Sequence, residues 1–74
     1  MELRKAFARN LRAARLNKKV SQEELAGRAE LDRTYISALE RCLYSASLDT
    51  IERIAKALNV EPSALLERAS RGKR

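Results

Sequence analysis

The positions of apolar and polar residues along the chain predict five helices. Leu3, Phe7 and Leu11 recur at steps of four, which places an apolar stripe on a first helix from about residue 2 to residue 17. Further stripes predict a second and a third helix within residues 22–41, a fourth over 48–58 and a fifth from 62 to about 69. No alternating apolar run reaches strand length. The pattern therefore predicts an all-α, compact five-helix domain.

Residues that favour helix starts divide this pattern. Ser21 precedes the second helix and Glu24 follows three residues later, which is the spacing of a capping box. Asp32 and Ser47 suit the N-caps of the third and fourth helices, and Pro62 suits the first position of the fifth. Two short helices joined by a turn form a helix-turn-helix pattern, in which the N-terminal end of the second helix enters the major groove of DNA.

Length and composition limit the classes of protein that fit. With 74 residues, the chain has room for one domain, which we expect over residues 1–70, followed by a basic tail over 71–74. We expect a cytoplasmic protein, because no apolar run nears the ~18 residues of a membrane span and the start lacks a signal peptide. With no histidine and a lone Cys42, we expect no metal, cofactor or small-molecule ligand, and no enzyme activity.

The charge distribution indicates a polyanionic partner. The net charge is +6 and the isoelectric point is near 10.1. Residues 1–19 hold seven basic side chains and one acidic, residues 20–40 two basic and five acidic, and residues 41–74 seven basic and four acidic. The helix-turn-helix segment is therefore acidic overall. Attraction to phosphate groups must come mainly from the segments on either side of it.

Four linked segments resemble the Cro/C1-type (XRE) DNA-binding domain of lambda-repressor-like proteins. They are SQEELA (21–26), DRTYIS (32–37), LER (39–41), and SLDTI with IAKAL (47–51 and 54–58). Within that family, the RTYIS run and the short length are most similar to the controller proteins of restriction–modification systems. Where the family often has glycine, this chain has Glu30 and Cys42. If Glu30 takes a positive φ, we expect strain of about 1 kcal/mol or more.

The start of the third helix carries the predicted base-reading residues. Arg33 follows the cap, and its planar fork can donate two hydrogen bonds to guanine O6 and N7. Thr34 can offer a hydroxyl and a methyl group, and Tyr35 a ring or a hydroxyl. The resemblance implies that these three positions contact DNA. Ser37 lies one turn further along and completes the predicted set.

Other residues are predicted to position the protein on the phosphate backbone. Gln22 stands at the start of the second helix, where N–H groups favour an anion, and the family uses the matching position in this way. Arg41, Tyr44 and Ser45 follow the third helix, where the next phosphates should pass. The resemblance also implies a structural ion pair, which joins the first helix to the end of the third through the two residues Arg15 and Glu40.

One reading helix contacts few base pairs, so we expect a homodimer on twofold-related half-sites of double-stranded DNA. The second half of the chain holds more apolar residues than two small helices need. Candidates for the dimer interface, which we place in the fourth and fifth helices over 48–69, are Leu43, Leu48, Ile51, Leu65 and Leu66. The predicted function is that of a sequence-specific DNA-binding transcriptional regulator. The resemblance implies a bacterial or phage-encoded protein, and we expect it to be an autoregulatory restriction–modification controller that binds promoter DNA. The alternatives are a phage or plasmid Cro-like repressor, an antitoxin, and a helical protein-interaction module that does not read DNA.

Overall fold

Residues 2–68 are described by the computed structural model, and within that range the regular structure is entirely helical. The helices are α1 (Leu3–Asn17), α2 (Gln22–Ala29), α3 (Arg33–Glu40), α4 (Leu48–Leu58) and α5 (Pro62–Leu66). The all-α prediction is confirmed. None of these helices is long and apolar enough to cross a membrane.

The fifth helix is shorter than predicted. It ends at Leu66, and Glu67 has an extended backbone with ψ of 127°. The side-chain amide of Asn10, on α1, donates from Nδ2 to the carbonyl oxygens of Leu65 at 3.0 Å and Glu67 at 2.6 Å. Because a side chain from α1 binds the carbonyls at this end, further helical turns are not needed to satisfy them. The predicted end near residue 69 and the predicted basic tail lie outside the described residues.

Apolar side chains from all five helices form one core. α3 packs against α1 and α2, and α4 packs against α2 and α5. Ile36 and Leu39 are the inward residues of α3, at 0% and 1% exposed. Burying a side chain of this size stabilises the fold by roughly 1.5–3 kcal/mol. The other large, fully buried side chains are Leu11, Leu25, Ile54, Leu58 and Leu65. Within α3 the exposed residues are Arg33 and Thr34, at the first turn.

Four helix ends adopt the left-handed conformation at residues other than glycine. These residues have φ between 58° and 61°, and in each case the next residue donates its backbone N–H to the carbonyl five residues earlier, as in a Schellman motif. Of the two possibilities left open for Glu30, a strained positive φ or a different turn, the structure has the positive φ, at 58°. An L-residue in this region carries strain of about 1–2 kcal/mol. The four positions are Lys19, Glu30, Cys42 and Asn59.

Candidate DNA interface

Side-chain caps fix the starts of α2 and α3. Ser21 Oγ accepts the backbone N–H of Glu24 at 2.9 Å. The carboxylate of Glu24 accepts from Arg28 Nη2 at 3.1 Å instead of turning back to Ser21, so half of the predicted capping box is formed. Asp32 Oδ1 accepts the backbone N–H of Thr34 at 2.9 Å, which confirms the predicted N-cap of α3.

The predicted base-reading residues lie along one helix. Arg33 and Thr34 are exposed at the first turn of α3, whereas Tyr35 and Ser37 are half-buried. Ile36, between them, faces the core at 0% exposed and sets this orientation. The exposed N-terminal end of α3 therefore presents a guanidinium and a hydroxyl to solvent, both of which can bond to base edges.

Asp32 binds the side chain of Thr34 as well as its backbone. Thr34 Oγ1 donates to Asp32 Oδ1 at 2.7 Å. This side-chain hydrogen bond is the largest cause of a lowered pKa at Asp32, and the backbone N–H of Thr34 and the nearby charge of Arg33 lower the pKa further. The carboxylate is therefore ionised at neutral pH.

The predicted ion pair between α1 and α3 is present, and it extends to the start of α2. Arg15 Nε donates to Glu40 Oε2 at 2.6 Å, and Nη2 donates to Oε1 at 3.1 Å. The third guanidinium nitrogen, Arg15 Nη1, donates a hydrogen bond to the carbonyl oxygen of Val20 at 2.9 Å. Gln22 Nε2 also donates to Glu40 Oε1, at 3.1 Å. One carboxylate thus joins three helices, including the predicted phosphate-binding Gln22.

The ion pair between Arg15 and Glu40 is largely shielded from solvent. The side chains of Arg15 and Glu40 are 10% and 4% exposed. The pKa of Arg15 is raised above its usual value, first by the hydrogen bonds to Glu40 and then by the charge of that carboxylate, although burial acts in the opposite direction. Because Arg15 remains protonated, its positive charge balances the carboxylate of Glu40, which lies beside Gln22 at the start of α2.

The other predicted phosphate-binding residues lie on the surface after α3. Arg41, Tyr44 and Ser45 are exposed. The rings of Tyr35 and Tyr44 have their centroids 6.3 Å apart at an interplanar angle of 41°, within the range of a favourable aromatic pair. This contact joins the loop after α3 to the first turn of that helix. The structure therefore places the predicted base-reading and phosphate-binding residues on α3, at the start of α2 and in the adjoining loop.

The predicted dimer residues differ in exposure. Leu43 and Leu48 are 53% and 81% exposed, and Leu66 is half-buried. Leu65 is 1% exposed and Ile51 is 8% exposed, because both side chains pack into the core of the chain itself. An open groove of about 210 Å³ is lined by Leu3, Arg4, Phe7, Ser45, Ala46, Ile51 and Leu66. The candidate interface consequently consists of exposed leucines and this groove, with Leu65 contributing to the core.

Residues 11–65 match the family HTH_3, described as helix-turn-helix. The chain belongs to the Cro/C1-type helix-turn-helix family. The family resemblance found in the sequence is thereby confirmed. The similarity to restriction–modification controller proteins is confirmed by two of the relatives described next. The chain is 48% identical over 66 residues to the control protein C.BamHI of Bacillus amyloliquefaciens, covering 88% of this chain and 82% of that protein.

Two further proteins are similar over most of the chain. A hypothetical transcription factor of Neisseria meningitidis is 49% identical over 65 residues, covering 88% of this chain and 61% of that protein. The crystal structure of the restriction-modification controller protein C.AhdI from Aeromonas hydrophila superposes with a TM-score of 0.81 at 40% identity, covering 84% of this chain and 94% of that one. This chain therefore spans less than two thirds of the Neisseria protein.

The contacts of this helix-turn-helix site that the sequence did not predict include two hydrogen bonds between side chains. The first is the bond from Thr34 to the side chain of Asp32, for which the spacing of an aspartate two residues before a threonine at a helix start is a usable signal. The second is the bond from Gln22 to Glu40. No local pattern marks it, because the two residues are 18 positions apart and meet only once α2 and α3 have packed.

Proposed function

We propose that this helix-turn-helix transcription regulator binds promoter DNA sequence-specifically as a homodimer and acts as a restriction–modification controller. The observation that carries the proposal is the exposed N-terminal end of α3, where Arg33 and Thr34 project from a helix anchored by Ile36. Helix-turn-helix proteins read the major groove with this end of their second helix. The similarity to C.BamHI and C.AhdI supports the controller role over a phage repressor or an antitoxin.

Base reading is assigned to the first turn of α3. Arg33 donates two hydrogen bonds to guanine O6 and N7, and Thr34 contacts the neighbouring base edge. Tyr35 is held by Tyr44, which fixes the position of its ring beside the reading residues. Ser37, half-buried one turn further along, sets how closely the helix approaches the bases.

Phosphate contacts fix the register of the protein on DNA. Gln22 lies at the N-terminal end of α2, where free backbone N–H groups and the helix dipole favour a phosphate. Arg41, Tyr44 and Ser45 bind the backbone on the other side of the reading helix. Since the segment from 20 to 40 is acidic, the basic residues of α1 and of the chain after α3 supply the general attraction, which falls as the salt concentration rises.

The dimer is assigned to the exposed leucines and the apolar groove. Leu48 is 81% exposed at the start of α4, and Leu3 and Leu66 line the groove. A second copy that covers these side chains would remove them from water and space two reading helices about 34–36 Å apart, one turn of DNA. We expect sedimentation equilibrium at micromolar concentration to give the mass of a dimer, and Leu48→Asp to shift it toward the monomer. A wild-type protein that is entirely monomeric under these conditions would contradict the proposed dimer.

Autoregulation follows if the protein binds DNA upstream of its own gene. Occupancy then depends on the concentration of the protein, with no small-molecule ligand required. A dimer makes this dependence steeper, because the DNA-binding form grows with the square of the monomer concentration while dimers are scarce.

The proposal is tested by fluorescence-anisotropy titration of the wild-type protein. The DNAs are the sequence upstream of its own gene and a scrambled sequence of equal length and composition, each at two salt concentrations. We expect the upstream DNA to bind more tightly at both salts, and binding to scrambled DNA to weaken steeply with salt. Equal binding to the two DNAs would remove the support for autoregulation. Binding to neither would favour the protein-interaction module.

A further inference from the structure

The hydroxyl of Thr34 already has one hydrogen-bond partner within the chain. Thr34 Oγ1 lies 2.7 Å from Asp32 Oδ1, and Asp32 Oδ1 also accepts the backbone N–H of Thr34 at 2.9 Å. An ionised carboxylate can only accept hydrogen bonds. The proton in the shorter contact must therefore come from the hydroxyl of Thr34. Both side chains are exposed, so a base edge can still reach the threonine oxygen.

This contact determines what Thr34 can offer to a base. A hydroxyl has one proton to donate and two lone pairs that accept. With its proton bound to Asp32, Thr34 Oγ1 is left with acceptor capacity. In the major groove, the hydrogen-bond donors are the amino groups at adenine N6 and cytosine N4, whereas guanine N7 and O6 and thymine O4 are acceptors.

We propose that Asp32 is a specificity-determining positioning residue, which restricts Thr34 to accepting a hydrogen bond from the amino group of adenine or cytosine. The inference rests on the proposed function, since it requires α3 to read bases. The guanidinium of Arg33 has hydrogen-bond donors and no acceptor, so it binds to acceptor atoms of a base. Two neighbouring residues of α3 then read groups of opposite hydrogen-bond polarity, and a base that presents the wrong polarity to either residue is rejected.

The test begins by locating the base pair that Thr34 reads. Each base pair of a bound half-site is substituted in turn, and affinities are compared for wild type and Thr34→Val, which has the same shape without the hydroxyl. The base pair whose substitution affects wild type but not Thr34→Val is the one read by the hydroxyl. Its amino group is then removed by replacing adenine with purine, or cytosine with pyrimidin-2-one.

We expect removal of that amino group to weaken wild-type binding about tenfold, the effect of one lost hydrogen bond with its partner left unpaired, and to leave Thr34→Val nearly unchanged. Asp32→Gly keeps an acceptable N-cap and frees the hydroxyl proton. In that variant the hydroxyl of Thr34 can donate a hydrogen bond to an acceptor on the same base pair. Removal of the amino group should therefore lower the DNA affinity of the variant by less than about threefold. Asp32→Ser serves if Asp32→Gly is poorly folded, and circular dichroism checks the folding of each variant.

The outcomes separate this inference from the proposed function. If wild type binds no DNA, the proposed function fails and this inference fails with it. If wild type binds specifically but no base pair depends on the Thr34 hydroxyl, the inference alone is overturned. It is also overturned if removing the amino group leaves the affinity of wild type unchanged, or if it lowers the affinity of the Asp32 variants by the same factor as that of wild type.

Discussion

Arg15→Ala is expected to lower the free energy of unfolding by about 3–5 kcal/mol, because it leaves the carboxylate of Glu40 buried without its cation. Glu40 has a side chain 4% exposed, and it would keep a single partner, the amide of Gln22. The carbonyl of Val20 would also lose its bond to Arg15 Nη1. For a domain of this length, such a loss lowers the melting temperature by more than about 10 °C.

Thermal melting at one fixed protein concentration measures this effect, since dimerisation makes stability depend on concentration. The matched control is Arg12→Ala, which removes an exposed basic residue from the same helix and should change stability by less than about 0.5 kcal/mol. The raised pKa of Arg15 means that its contribution is fully present below the usual arginine pKa and is lost only as the pH rises through the higher folded value. The difference between variant and wild type should thus be constant across the neutral range. An Arg15→Ala protein that melts like wild type would contradict the assigned role.

Arg33→Ala should abolish most of the preference for specific DNA while leaving the fold intact. Loss of a paired contact to guanine costs about 1–3 kcal/mol at each half-site, so a dimer on two half-sites loses up to twice that amount. Arg33 lies in the first turn of α3, where the helix dipole disfavours a positive charge. Its removal should therefore leave the melting temperature unchanged or slightly raised. Anisotropy titrations with upstream and scrambled DNA, alongside thermal melting, measure both effects.

Arg41→Ala provides the comparison for Arg33→Ala. Arg41 is an exposed arginine at the other end of α3 and is assigned to a phosphate. Its loss should weaken binding to both DNAs by a similar factor and reduce the slope of log affinity against log salt by about 1 for each subunit, or about 2 for the dimer. If Arg33→Ala instead weakens both DNAs equally, Arg33 binds the backbone and is not a base reader.

The sequence predicted the features that depend on near neighbours. Ser21, Asp32 and Ser47 cap α2, α3 and α4 as expected, since each cap bonds a backbone N–H two or three residues away. The ion pair between Arg15 and Glu40 was predicted from the family resemblance, because its partners are 25 positions apart. The exposure of Arg33 also agrees with the sequence, which places this residue directly after the N-cap of α3.

Contacts that need the assembled fold were not predictable. Asn10 binds carbonyls 55 and 57 positions away, which explains why α5 was predicted too long. The burial of Leu65 follows from the way α5 packs against α1, and its sequence position could not distinguish a core residue from an interface residue. The bond from Gln22 to Glu40 likewise depends on the packing of α2 against α3.

The left-handed helix ends have a consequence for how much heat tolerance this chain could acquire. Glycine would relieve strain of about 1–2 kcal/mol at Lys19, Glu30 or Cys42. Part of that gain is cancelled, by about 0.5–1 kcal/mol, because glycine also gives the unfolded chain more freedom. None of the three positions is assigned to a base or a phosphate. Selection for growth at higher temperature could therefore act on these turns without altering which promoter the protein recognises.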